Sequence, residues 1–124
     1  MAKILIAEDD PDQRQMLTEA VAEAGHHVEA VGNGNAATQK FSSQVFDLVI
    51  LDVRMPGKDG LTVLKEIRKE NAAIPVIMVS AFTTEFDERL HLSSGATASL
   101  SKPYSIEELL LTIANALKSS TQQN

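Results

Sequence analysis

Cysteine is missing from all 124 residues, which excludes thiol nucleophiles, thiolate zinc sites and any disulfide framework. Long apolar runs are missing as well. Nothing approaches the ~20 consecutive apolar residues of a membrane span, and the N-terminal apolar stretch is only about a strand long before acids interrupt it, too short for a signal peptide. A basic surplus is the third absence: 11 Lys and Arg stand against 17 Asp and Glu, a formal net charge of −6, where direct nucleic-acid binding needs a basic face. The cations are scattered except for Lys65, Arg68 and Lys69, which interleave with Glu66 and Glu70 and predict a solvated helix face. The reading is a cytoplasmic protein with no membrane contact and no direct nucleic-acid contact. The length fits one domain with a core large enough to need no covalent staple.

Strand-length apolar runs alternate with segments of helical period. Strands are expected at Lys3–Ala7, His27–Val31, Asp47–Leu51, Pro75–Val79 and Thr97–Ser101. The first, third and fourth are nearly continuous in Ile, Leu and Val, as parallel strands covered on both faces should be. The second is half polar and reads as an edge; the fifth is weak in strand propensity and is placed by its position. Five helices lie between and after them. Asp10 is an expected N-cap, with Pro11 at the first helical position and Gln13 at the capping-box site. The stripe Met16, Leu17, Ala20, Val21 and Ala24 should face inward until Gly25 ends the helix. A second helix is expected over residues 36–42 and a third carries Leu61, Leu64 and Ile67. A fourth starts near Thr83 or Thr84 and stops at Gly95. The fifth opens on the Ser105 and Glu108 capping box, with Ile106, Leu109, Leu110, Ile113 and Leu117 inward. Residues 119–124 read as a polar tail or the start of a linker, leaving a domain over residues 1–118. Strict alternation implies an α/β fold with a parallel sheet and right-handed crossovers.

The carboxylates fall at one end of that sheet. Glu8, Asp9 and Asp10 follow the first strand, Asp52 ends the third, Ser80 closes the fourth run and Lys102 follows the fifth. Ligands of such sheets bind at the carboxyl ends of the strands. Clustered carboxylates repel one another, and burial raises the cost of each charge, so this pocket suits a cation. The pattern points to an acidic, cation-binding, phosphoryl-transfer site.

From Lys3 to about Lys118 the chain resembles the receiver domain of two-component response regulators, the CheY-like family. The resemblance rests on Glu8-Asp9, on the segment from Asp52 through Met55-Pro56-Gly57 to Gly60, on Ser80-Ala81, on Gly95-Ala96 and on Lys102-Pro103-Tyr104. It implies a doubly wound, flavodoxin-like, three-layer domain with strand order 2-1-3-4-5. It further implies that Asp52 is the phosphoacceptor and that Asp9, Asp52 and the backbone carbonyl of Arg54 ligate Mg²⁺, with Glu8 acting directly or through water. Lys102, after a cis peptide to Pro103, and the Ser80 hydroxyl would each meet a phosphoryl oxygen. Asp10 is fully explained by its capping role. Arg54 and Phe82 should flank the mouth of the pocket. The phosphodonor would be the phosphohistidine of a sensor kinase or histidine phosphotransfer protein, since His26, His27 and His91 lack metal-ligand spacing and read as surface residues. A downstream output domain or protein is implied, whether the chain stands alone or is the N-terminal part of a longer regulator. It would be no enzyme beyond promoting its own phosphorylation and dephosphorylation.

Two other readings share the topology. A flavodoxin-like flavin carrier needs a Ser/Thr/Gly-rich phosphate loop where this chain has Glu8-Asp9. A small aspartyl-phosphate phosphatase wants its nucleophile after the first strand with a second acid two positions on, which Glu8 and Asp10 imitate poorly. The chain also departs from the receiver pattern. Ser99 stands three positions before Lys102, where receivers usually carry an aromatic residue, and Ala98 where an acid is common. Serine cannot fill or vacate a pocket as a ring does. Phosphorylation is therefore expected to move this domain less, or to act through the backbone around Ser80–Thr84.

Overall fold

The computed structural model describes residues 1–81 and 84–122. Ten elements alternate along the chain: β1 (Lys3–Ala7), α1 (Pro11–Glu23), β2 (His27–Val31), α2 (Gly34–Ser43), β3 (Leu48–Asp52), α3 (Gly60–Glu70), β4 (Val76–Ser80), α4 (Glu85–Ser93), β5 (Ala98–Ser101) and α5 (Ile106–Gln122). The five strands are all parallel, in the order β2-β1-β3-β4-β5. The apolar content of β1, β3 and β4 predicts their central places, because a strand buried on both faces has no room for alternating polar residues. All five residues of β3 are buried, and half-polar β2 lies at the edge.

Side chains alternate between the faces of the sheet, and the core divides accordingly. Leu5, Val49, Leu51, Val76 and Met78 pack with Ala37 and Phe41 of α2 and with Val63, Leu64 and Ile67 of α3. Ile4, Ile6, Ile50, Ile77 and Val79 pack on the opposite face with Leu17 and Val21 of α1 and with Leu109 and Ile113 of α5. Each such fully buried aliphatic side chain contributes about 1.5–3 kcal/mol relative to exposure. The two layers fix the sheet from both sides and hold the carboxyl ends of β1, β3, β4 and β5 in a common row.

Several sequence expectations shift. The third, fourth and fifth strands start one residue later than expected, and the third and fourth end one residue later, on Asp52 and Ser80. The ladder continues there through backbone groups: Val53 N–H donates to the Val79 carbonyl at 2.9 Å and Lys102 N–H to the Ser80 carbonyl at 2.7 Å. Helix α2 begins two residues before the expected start, because Asn33 caps it by accepting from the Ala36 N–H at 2.7 Å. Gly34 opens that helix, and a Cβ there would lie 2.1 Å from the Lys58 carbonyl oxygen, which leaves room for glycine alone. Met16 of the α1 stripe is 54% exposed and Ile106 of α5 is 40% exposed, so each helix buries a narrower stripe than its sequence pattern suggests. Helix α5 continues to Gln122, into the segment expected to be a polar tail. Thr84 caps α4 in a reciprocal pair with Asp87; Thr83, the other expected start, lies outside the described residues. Among the described residues no helix is long and apolar enough to cross a membrane.

Two groups of polar residues correct the sequence reading more sharply. Arg68 is not part of a solvated face. Its guanidinium donates to the carbonyls of Ile74 at 2.7 Å, Gly95 at 2.8 Å and Asn71 at 3.2 Å, tying the end of α3 to the loop after α4, and burial lowers its pKa. His91 is not a surface residue either: it is 3% exposed, with Nδ1 2.8 Å from the Ser99 hydroxyl. His27 is exposed, as expected, and half-buried His26 accepts from the Ala2 N–H.

Candidate functional site

The cleft at the carboxyl end of the sheet is assembled from three strand ends. Glu8 leaves β1 and is 1% exposed, Asp52 ends β3 and is 6% exposed, and Asp9 beside them faces solvent. One carboxylate oxygen from each of Glu8, Asp9 and Asp52 lies within 4.8 Å of the other two. Lys102, reached directly after β5, spans the two buried acids. Its Nζ lies 2.8 Å from Asp52 Oδ2 and 2.9 Å from Glu8 Oε1. The Lys102–Pro103 peptide is cis.

The remaining carboxylate oxygens are engaged by backbone amides. Asp10 N–H donates to Glu8 Oε2 at 3.1 Å, and Arg54 N–H donates to Asp52 Oδ1 at 3.0 Å. The Asp10 amide is thereby given to Glu8 rather than to Gln13, whose side chain donates to the Asp10 carboxylate instead. The Asp10 carboxylate accepts from the Asp12 and Gln13 amides, so it caps α1 as its sequence position predicts, while its backbone helps to orient Glu8. Arg14 donates from its guanidinium to the Glu8 carbonyl at 2.9 Å and fastens the turn from behind.

Gly60 sets the approach of α3 to this cleft. A Cβ at that position would lie 2.3 Å from the Asp52 carbonyl oxygen, and the Gly60 N–H donates to the Val53 carbonyl at 2.8 Å. Only a residue without a side chain lets the helix start so close to the end of β3.

Burial dominates the electrostatics. It pushes the Glu8 carboxyl up to about 7, an effect that the Lys102 ammonium opposes and the neighbouring Asp52 reinforces. For Lys102, burial works against the charge, but hydrogen bonds to Asp52 and Glu8 outweigh it and hold the ammonium above its ordinary pKa. The result is a charged amine held between Asp52 and a Glu8 carboxyl that titrates near neutrality. Hard oxygen donors in this number fit Mg²⁺, which takes a few carboxylates and keeps its other positions for water and phosphate oxygens. The excess of anionic oxygens over the single amine is the feature that suits a divalent cation.

Of the residues singled out from sequence, Glu8, Asp9, Asp52 and Lys102 converge directly. Arg54 lines the same cleft together with Gln13 and Ala81. Ser80, half-buried at the end of β4, pairs in register with Ser101 and lies one residue past the Val79 partner of Asp52. Phe82 lies outside the described residues. Gln13 and Ala81 were missed as cleft residues. A capping-box signal accounted for the first, and an alanine after a strand carries no chemical signal of its own.

A family model described as the response regulator receiver domain matches residues 4–114. The transcriptional regulatory protein RprY of Bacteroides fragilis is 36% identical over 116 residues, covering 94% of this chain and 49% of the relative. TctD of Salmonella typhimurium, also a transcriptional regulatory protein, is 34% identical over 121 residues, covering 98% of this chain and 54% of the relative. The chain thus spans about half the length of these curated relatives. Among solved structures, the receiver domain of the Francisella response regulator 1452 superposes with a TM-score of 0.92 at 31% identity, covering 97% of this chain and 99% of that one. The chemotaxis protein CheY4 of Vibrio cholerae superposes with a TM-score of 0.89 at 32% identity, covering 94% of this chain and 98% of its own.

Proposed function

Because this chain belongs to the response regulator receiver domain family of two-component systems, we propose that it accepts a phosphoryl group on Asp52. The donor is the phosphohistidine of a sensor kinase or histidine phosphotransfer protein. An Asp52 carboxylate oxygen attacks phosphorus, the bond from phosphorus to the imidazole nitrogen breaks, and the imidazole leaves with the electron pair. A carboxylate needs no general base for this step. It needs relief from repulsion by the incoming phosphoryl oxygens. The observation that carries the reading is the Lys102 ammonium, 2.8 Å from Asp52 and 2.9 Å from Glu8, placed to follow the charge as it moves outward from Asp52 to the phosphoryl group.

Asp9, Asp52 and the Arg54 carbonyl would hold Mg²⁺, with Glu8 joining directly or through water. Bound there, the ion supplies the larger part of the charge neutralisation. The Ser80 hydroxyl donates to a second phosphoryl oxygen once Asp52 is modified. Arg54 at the cleft mouth tunes water access and so the lifetime of the acyl phosphate. The chain acts on no substrate but itself, forming and slowly hydrolysing its own acyl phosphate. Residues 1–118 form the receiver unit, and residues 119–124 lead out of it. The output is a domain or partner protein of the kind that the longer transcriptional relatives possess.

Asp52→Asn keeps the shape of the side chain and removes the nucleophile. Incubated with acetyl phosphate and Mg²⁺, this variant should take up no phosphoryl group while its circular dichroism spectrum stays that of the parent. Stoichiometric labelling of the variant would refute the assignment. Chelation of the metal should abolish labelling of the unmodified protein.

A further inference from the structure

Helix α4 is anchored in an unusual way. His91 is its single buried residue, whereas Phe86, Leu90 and Leu92 are exposed. The hold of this helix on the sheet therefore lies in a directional polar contact, from His91 Nδ1 to the Ser99 hydroxyl at 2.8 Å, more than in a broad apolar face. Ser99 pairs in register with Met78 and so points to the side of the sheet that α2 and α3 cover. The small side chain at 99 leaves room for a ring supplied from the helix instead of from β5. A buried imidazole left without a polar partner is unfavourable, so the contact ties the position of α4 to that of β5.

Strand β5 is itself bound to the phosphoryl pocket. Three residues after Ser99 comes Lys102, whose ammonium contacts Asp52 and Glu8 and whose backbone N–H donates to the Ser80 carbonyl at 2.7 Å. We propose that the His91–Ser99 hydrogen bond is the interior contact through which α4 follows the state of the pocket, replacing the aromatic ring that receivers usually carry on β5. The inference rests on the phosphoacceptor reading of Asp52. When the phosphoryl group draws Lys102 and Ser80 toward its oxygens, β5 shifts under Ser99, and the hydrogen bond either carries His91 with it or breaks. A weakly buried element held by one such contact belongs to the low-stability part of a fold, from which moving parts are drawn.

The test is nuclear magnetic resonance of the unmodified chain and of Ser99→Ala and Ser99→Thr, each with Mg²⁺, before and after addition of beryllofluoride as the phosphoryl mimic. In the unmodified chain the ring nitrogens of His91 should shift, those of His26 and His27 should stay, and the amides of residues 85–93 should move. In Ser99→Ala the response of residues 85–93 should fall roughly twofold or more, while residues 8–10 and 52–54 respond in full; Ser99→Thr, which keeps the hydroxyl, should restore it. A full α4 response in Ser99→Ala would overturn the inference, as would His91 nitrogens that do not move in the unmodified chain. That second readout decides the matter even if Ser99→Ala fails to fold. An unmodified chain silent at residues 8–10 and 52–54 would instead overturn the phosphoacceptor reading, and the inference would fall with it.

Discussion

Glu8 is the residue through which the cleft should respond to pH and, on the proposed function, to metal. Its carboxyl, pushed up to about 7 by burial, must give up a proton to serve as a cation ligand. Magnesium affinity should therefore weaken by roughly tenfold between pH 8 and pH 6, following the lost fraction of ionised carboxyl. Calorimetric titration at the two pH values checks this, and Glu8→Gln should flatten the dependence. In the metal-free protein the sign for stability follows from the same shift. The folded carboxyl keeps a proton that an ordinary Glu, with its value of 4.5, has already released. Stability from this residue should thus decline as pH rises from about 4.5 to about 7. Gly60 carries a steric prediction. A Cβ at 2.3 Å from the Asp52 carbonyl oxygen meets backbone that cannot swing away, so Gly60→Ala should cost about 1–3 kcal/mol in urea unfolding. The charged members of the cleft were legible in sequence because each ends or directly follows a strand, where topology alone puts them together. Arg68 and His91 were not legible. Whether a polar side chain on a helix meets water or a carbonyl depends on which loop passes over it, and no local pattern encodes that.

At the scale of the element, caps were read more reliably than faces. Asp10, Thr84 and Ser105 each receive the amide that their position predicts, since a cap is a bond between residues two or three apart. The inward stripes of α1 and α5 were overdrawn at Met16 and Ile106, because how wide a stripe becomes buried is set by the neighbouring helix and not by periodicity. The capping of α1 supplies a discriminating prediction. If the Asp10 carboxylate serves the helix and not the metal, Asp10→Ala should lower stability by about 0.5–2 kcal/mol yet leave Mg²⁺-dependent labelling of Asp52 in place. Loss of labelling in a folded Asp10→Ala protein would reassign this carboxylate to the cation. On α4, the His91 imidazole is held below its ordinary value of 6.5 by burial, against the opposing pull of Asp87 and Glu88. The unfolded chain takes up that proton first as pH falls, so the helix's contribution to stability should diminish below about pH 6.5. The ring resonances of His91 should titrate below the ordinary histidine value of 6.5.

For the whole molecule, strict alternation of elements was enough to predict a parallel α/β sheet, and the receiver resemblance supplied its strand order. Both are as observed. What the sequence pattern concealed is the contact that joins the sheet's last strand to the helix beside it, from the Ser99 hydroxyl to the His91 ring. The sheet places a row of carboxylates and one amine at the carboxyl ends of its strands, an arrangement suited to accepting a phosphoryl group with the help of a divalent cation. The most direct measurement is exposure of the unmodified chain to acetyl phosphate with and without Mg²⁺, followed by mass mapping of the modified residue after trapping of the acyl phosphate. One phosphoryl group per chain is expected, on Asp52, and only when the metal is present. Modification at any other residue, or equal labelling in the presence of a chelator, would contradict it.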